Sequence, residues 1–223
     1  MTQYTRLDRK TRHAADMYIN VLEQLGVTDV SNHGLHIETC KEWNDEVSRF
    51  YESQGVMPHD KLIGFNIGSA VPEKRWPAER FADVADYFAD KGYKTVFFGG
   101  PMDLEMVKPV VEHMKTTPIV ATGAFKIGSL AAAMKWCDLV ITNDSGPMHV
   151  AISQGVPIVA LYGPSNPFFY GPYQAKSIVL ESMDHYEIGK SMKKVIKEGK
   201  YKGISVITEE QVIKAAETLL QES

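Results

Sequence analysis

The stretch Leu139-Val140-Ile141-Thr142-Asn143-Asp144-Ser145-Gly146-Pro147-Met148-His149-Val150-Ala151 decides the fold. Its first three residues are the apolar run that a parallel strand covered on both faces requires. Asn143 to Gly146 make a polar turn. Pro147 then stands where a helix begins, a place that suits proline because the first helical N–H groups have no intrahelical acceptor. The turn therefore lies at the carboxyl end of a strand and the amino end of a helix. In open α/β sheets that crevice receives ligands. The N–H groups and dipole of a helix amino end favour phosphate there.

The flanking sequence repeats the pattern. Strands are predicted over Leu62–Ile67, Thr95–Phe98, Ile119–Ala121, Pro157–Tyr162 and, more weakly, Ser177–Leu180. Helices are predicted over Ala78–Lys91, Asp103–Met114, Ile127–Trp136 and the stretch ending at Gln154. The last helix starts at Thr208, where Thr208 and Gln211 have capping-box spacing, and runs to about residue 221. Strands alternating with helices imply an α/β fold, a Rossmann-like parallel sheet with helices on both faces. Residues 61–223 are expected to form this domain. Residues 1–60 read as a helical lead-in, with helices over 4–25 and Glu42–Ser53 and a short strand at Leu35–Glu38. The stripe Ala14, Met17, Tyr18, Val21, Leu22 and Leu25 shows that the first helix packs on something, and Gly26 is placed to stop it.

Composition excludes several classes. The chain has 223 residues, 44% hydrophobic and 23% charged, with a net charge of -4. It has no dense Lys/Arg cluster, so nucleic-acid binding has no support. The Lys-rich patch from Lys190 to Lys202 is offset in part by Glu198 and reads as a solvated face. Two cysteines occur, Cys40 and Cys137. Cys137 precedes a buried strand and reads as a core thiol. No zinc spacing, H-E-x-x-H or EF-hand loop is present, so no metal is expected. The polar first residues are not a signal peptide or a membrane span, and a cytoplasmic setting fits.

Four small-residue turns fall at strand ends: Asn66–Ala70, Gly99–Asp103, Asn143–Gly146 and Gly163–Asn166. In a parallel sheet they share one edge and build a nucleotide-shaped cleft. Gly68 lets backbone approach an anion and Ser69 offers a hydroxyl. Lys74 and Arg75 can neutralise phosphate, or can be ordinary surface basic residues. Asp103 or Glu105 can hold a ribose diol, although an acid at a helix start also simply matches the dipole. Asp144 can accept from ligand hydroxyls, while Ser145 and Gly146 offer N–H groups. His149, four residues after Ser145, can face the same way. The plainer reading makes Asp144 or Ser145 a helix cap and His149 a half-buried packing residue. No G-x-G-x-x-G or Walker A motif occurs. A Ser145–His149 hydrolase lacks the glycine of a nucleophile elbow, because Asn143 holds that place.

Taken in order, Gly68-Ser69, Lys74-Arg75-Trp76-Pro77, Phe98-Gly99-Gly100, Asn143 to Ala151 and Ala160-Leu161-Tyr162-Gly163-Pro164 resemble glycosyltransferase family 9, the lipopolysaccharide heptosyltransferases. The resemblance covers about residues 60–167, and the preceding stretch is similar to that family's interdomain segment. It implies the C-terminal domain of a GT-B glycosyltransferase, which binds a nucleotide-sugar donor such as ADP-heptose. The implied reaction transfers the sugar with inversion to a lipopolysaccharide-type glycolipid acceptor, without a metal or other cofactor. By position, Lys74 and Asp144 take the catalytic roles: Lys74 steadies the leaving diphosphate, and Asp144 binds sugar hydroxyls. Ser69 with Gly68 would meet the diphosphate, Asp103 the ribose with Glu105 as a nearby substitute, and the region of Phe125 the adenine. Ser145, Gly146 and His149 would line phosphates and sugar. Nothing resembles the family's first domain, which binds the acceptor and carries the base. The chain is therefore expected to bind donor but to transfer sugar poorly. The full enzyme would associate peripherally with the inner face of the membrane. The alternative is a non-catalytic nucleotide-binding module that acts through a partner. The role of residues 168–207 stays open.

Overall fold

The strands are β1 (Leu62–Asn66), β2 (Lys94–Phe98), β3 (Ile119–Val120), β4 (Leu139–Asn143), β5 (Ile158–Tyr162) and β6 (Ser177–Glu181). The structure is a computed structural model describing residues 12–28, 30, 32–182, 192–199 and 201–222. Among these residues the strands form one six-stranded sheet in the order β3-β2-β1-β4-β5-β6. Every pair is parallel. The chain thus builds outward from β1 to one edge, returns to the middle, and builds outward from β4 to the other. The reversal opens a crevice beyond the carboxyl ends of β1 and β4.

The helices are α1 (Ala14–Gln24), α2 (Lys41–Ser53), α3 (Ala78–Asp90), α4 (Leu104–His113), α5 (Ile127–Met134), α6 (Gly146–Ile152), α7 (Pro167–Tyr170), α8 (Met192–Lys197) and α9 (Glu209–Gln221). Alternate strand residues divide between two cores, as the two-residue period of a strand demands. Leu62, Val96, Val140 and Ile158 join α2, α5 and α6 on one face. Ile63, Phe97, Ile141 and Val159 join α3, α4 and α9 on the other. Both faces are covered, which is why the central strands read as continuous apolar runs. Each fully buried large side chain contributes about 1.5–3 kcal/mol of transfer free energy.

Helix α2 belongs to the first face. Its Val47 and Tyr51 are fully buried, and the Tyr51 hydroxyl donates to Ala133 O at 3.0 Å. At the other end of the chain, Thr208 caps α9. Thr208 N donates to Gln211 Oε1 at 2.9 Å and Gln211 N to Thr208 Oγ1 at 3.3 Å, the reciprocal pair that the spacing predicted. Cys137 is buried in the first face, and burial pushes its thiol well above the ordinary range.

Several expectations need correction. Leu35–Glu38 is not a strand: the segment has no ladder partner, and Ile37 instead offers its carbonyl to Gln154 Nε2 at 2.8 Å. The apolar side chain of Ile37 packs on the first core from irregular backbone, so its periodicity mimicked a strand. The first helix begins at Ala14, with His13 Nδ1 accepting from Ala15 N at 3.1 Å; residues 4–11 of the predicted span lie outside the described residues. Helix α4 starts at Leu104 because Pro101–Asp103 form a separate 3-10 turn. Short helices α7 and α8 were not anticipated. On α1 only Met17 is buried, while Tyr18 is 68% exposed and Leu22 and Leu25 also face outward.

Candidate functional site

The crevice between β1 and β4 is floored by asparagine. In register, Asn66 of β1 pairs with Thr142 of β4. Asn66 Nδ2 donates to Thr142 Oγ1 at 2.9 Å and to Ser145 Oγ at 2.7 Å, so it ties the two strand ends together. Its Oδ1 is buried without a hydrogen-bond partner among the described residues. Asn143 ends β4 and is fully buried. Its Nδ2 donates to Ile67 O at 2.8 Å, and its Oδ1 accepts from Trp76 N at 3.1 Å. One side chain thereby holds both ends of the loop that leaves β1 and carries Lys74.

Lys74 closes a 3-10 turn, Pro72–Lys74. That turn aims its ammonium at Asp144, with Nζ 2.5 Å from Oδ2, and the side chains are only 20% and 7% exposed. The Ser165 hydroxyl donates to the same Oδ2 from the turn after β5. A pair this withdrawn from water interacts more strongly than a surface pair, because less solvent screens it. A lysine ammonium has three protons, so one bond to Asp144 leaves two for an anion.

The neighbouring turns close in. Ser69 Oγ accepts from Val71 N at 3.4 Å and lies 3.5 Å from Asp144 O. Arg75 Nε donates to Ser69 O at 2.8 Å, so Arg75 shapes the loop. Asp103 curls back, its Oδ2 accepting from Gly100 N at 2.8 Å. Its carboxylate lies against Gly68, where an added Cβ would come within 2.5 Å of Oδ1. Only glycine lets that carboxylate approach the loop. Gly163 is constrained in the same way: a Cβ there would lie 2.7 Å from Glu73 O and 2.9 Å from the Tyr201 hydroxyl, which itself donates to Glu73 O.

His149 is half-buried on α6. Burial holds its pKa below the usual value, with the nearby His13 adding to the effect and Asp144 opposing it, so the ring is neutral near pH 7. The Tyr162 hydroxyl donates to Tyr170 O at 2.8 Å. Burial, with the Asp144 charge second, keeps that phenol protonated.

The structure thus gathers Gly68, Ser69, Lys74, Asp103, Asp144, Ser145, Gly146 and His149 at the switch-point edge. Glu105 stands apart, 79% exposed and paired with Lys108 at 2.5 Å. Phe125 sits beyond β3, edge-on to Phe50 at 4.9 Å between centroids. Ser145 is the N-cap residue of α6 without a side-chain capping bond. Its Oγ accepts from Asn66 and lies 3.4 Å from Asn143 O, and among the described residues no hydrogen bond joins it to His149. Asn66, Asn143 and Ser165 lie on turns named from the sequence but had no role of their own there, and Tyr201 was missed. The first two carried a signal: each is an asparagine at the carboxyl end of an apolar run, where a turn begins.

A second groove, of about 540 Å³, lies between α1 and α7 and is lined by Arg12, His13, Asp16, Asn32 and Phe168 among others. Its polar groups largely satisfy one another. His13 Nε2 is 3.2 Å from Gly171 O, and Tyr173 donates to Asp16 while accepting from Asn32. Among the described residues no group of three His, Cys, Asp or Glu side chains converges on a metal-sized site. None of the described helices is long and apolar enough to cross a membrane.

An all-parallel sheet in this order, with its polar residues gathered at the reversal of strand order, defines a Rossmann-like α/β fold. The family model for glycosyltransferase family 9 (heptosyltransferase) matches residues 3–202. Lipopolysaccharide heptosyltransferase 2 of Escherichia coli K12 is 33% identical over 164 residues, 71% of this chain and 47% of the relative. A crystal structure of a family 9 glycosyl transferase from Veillonella parvula is 79% identical with a TM-score of 0.95, covering 100% of this chain and 64% of that one. The E. coli ADP-heptose lps heptosyltransferase II structure aligns over 84% of this chain and 54% of its own, at 28% identity and a TM-score of 0.68. The chain belongs to glycosyltransferase family 9, and its fold is the Rossmann-like α/β domain of the GT-B glycosyltransferases. It spans about half the length of the curated relatives it matches.

Proposed function

We propose that this chain holds the nucleotide-sugar donor, ADP-heptose by analogy with its relatives, in an inverting sugar transfer to a lipopolysaccharide-type acceptor. The observation that carries the reading is the Lys74–Asp144 pair at the switch point, with Nζ 2.5 Å from Oδ2. It sets a cation with two unused protons beside a carboxylate able to accept from hydroxyls. A glycosyl diphosphate needs that combination at the bond that breaks.

In this reading the diphosphate lies over Gly68, Ser69 and Lys74, beside Ser145 and Gly146. As the glycosidic bond to the leaving diphosphate breaks, negative charge grows on the diphosphate oxygen. Lys74 stabilises it in a site where little water screens the interaction. Asp144 accepts from sugar hydroxyls and orients the ring, and neutral His149 borders the sugar. Asp103, held by Gly100 N, is better placed for the ribose than Glu105. Adenine would extend toward Phe125. Acceptor binding and the base that activates it are assigned to the portion of the relatives' length that this chain does not span, so catalysis by this chain alone would be poor. The acceptor's chemistry would bring the full enzyme to the inner face of the membrane.

Calorimetry with ADP and ADP-heptose tests the reading. Lys74→Ala should weaken both at least several-fold, and Asp144→Asn should weaken ADP-heptose more than ADP. Equal affinities for parent and Lys74→Ala would refute the leaving-group role.

A further inference from the structure

We infer that Ser165 is a positioning residue for the donor sugar, acting through Asp144. The inference rests on the donor-site reading above and adds the element that fixes the carboxylate's orientation.

Asp144 is buried just beyond the end of β4, with the Tyr162 hydroxyl beside its carboxylate, and two donors from different loops meet at one of its oxygens. Lys74 Nζ and Ser165 Oγ both donate to Oδ2. Neither takes Oδ1. A carboxylate held at one oxygen by two donors from different loops cannot rotate about χ2 without losing both bonds. Its second oxygen is then kept in a fixed direction. The two donors differ in kind. Lys74 is a flexible four-carbon arm whose charge a bound diphosphate also attracts. Ser165 is a short side chain on a buried turn, 21 residues along the chain from its partner. That turn is itself braced: the adjacent Asn166 caps α7, its Oδ1 accepting from Phe168 N at 2.8 Å. When a diphosphate draws on the Lys74 ammonium, the Ser165 hydroxyl continues to hold Oδ2. Oδ1 stays presented to the sugar.

A hydroxyl that only stabilised the fold would affect every ligand alike. A hydroxyl that aims Asp144 at the sugar affects only ligands that carry one. The experiment is calorimetry of parent, Ser165→Ala and Ser165→Thr with ADP and with ADP-heptose, alongside thermal denaturation of each. Ser165→Ala is expected to weaken ADP-heptose about ten-fold, the value of one hydrogen bond to a charged group, while ADP changes less than about two-fold. Ser165→Thr keeps a hydroxyl and should restore most of the difference. Equal weakening of ADP and ADP-heptose by Ser165→Ala, or no weakening of either, overturns the inference whatever the change in melting temperature. The two-ligand ratio within one variant serves as its own control for folding. Failure of the parent to bind either ligand would instead overturn the donor-site reading itself.

Discussion

Asn143→Ala removes the bracket of the site. The side chain is fully buried and makes two bonds to backbone: it donates to Ile67 O at 2.8 Å and accepts from Trp76 N at 3.1 Å. The alanine variant strands a buried carbonyl and a buried N–H at the two ends of the Lys74 loop. Each unsatisfied buried group costs about 1–3 kcal/mol, so the pair costs about 2–6, with the lower part of that range applying if water enters the space. We expect about 3 kcal/mol, which for a domain of this size lowers the melting temperature by roughly 6–12 °C. Urea denaturation should show a lower midpoint with an unchanged slope. Asn143→Asp keeps the acceptor for Trp76 N but has no proton for Ile67 O, and sets a carboxylate against that carbonyl. It should therefore destabilise as much as alanine despite its shape. Asn143→Ala frees the Lys74 loop at both ends and Asn143→Asp at the Ile67 end, so ADP affinity should fall along with stability in each. A loss below about 1 kcal/mol in Asn143→Ala would refute the claim that this side chain holds the loop.

Gly163→Ala forces a methyl to within 2.7 Å of Glu73 O, where backbone must give; about 1–3 kcal/mol of stability and several-fold in ADP affinity should be lost by urea denaturation and calorimetry. His149 has its folded-state pKa held below the unfolded value of about 6.5, chiefly by burial. Its neutral form therefore favours the fold fully above that pH, and the contribution fades as pH falls through 6.5 toward the folded value. His149→Gln should make the decline in stability between pH 7 and 5 shallower than in the parent, as urea midpoints at each pH will report. Exposed Cys40 should react quickly with a thiol reagent in the native state while buried Cys137 waits for unfolding; two fast equivalents would contradict the packing of the first core.

The sheet was legible because strands buried on both faces cannot hide in composition: Leu62–Asn66, Leu139–Asn143 and Ile158–Tyr162 are apolar runs closed by turn residues. The capping box of α9 was legible because it is local. The Leu35–Glu38 misreading shows the limit of periodicity. Ile37 alternates with polar neighbours, yet its partner is the side chain of Gln154, 117 residues away, and not a strand. The same distance problem hid the bracket of the site. Asn66 meets Thr142 across 76 residues, and Asn143 meets Trp76 across 67. Those contacts exist only because the chain reverses its building direction between β1 and β4. The residues on the turns themselves could be named from type and order. Sequence put Asp103 on the ribose with Glu105 as a nearby substitute. Backbone geometry separates them: Asp103 N bonds to Gly100 O, turning its carboxylate inward, while Glu105 faces solvent on α4.

The proposed function stands on the donor diphosphate lying in the crevice between β1 and β4. A crystal structure of this chain with ADP tests it most directly. Diphosphate oxygens are expected within about 3 Å of Lys74 Nζ, over Gly68 and Ser69. Diphosphate seated instead in the groove between α1 and α7, against Arg12 and His13, would contradict it.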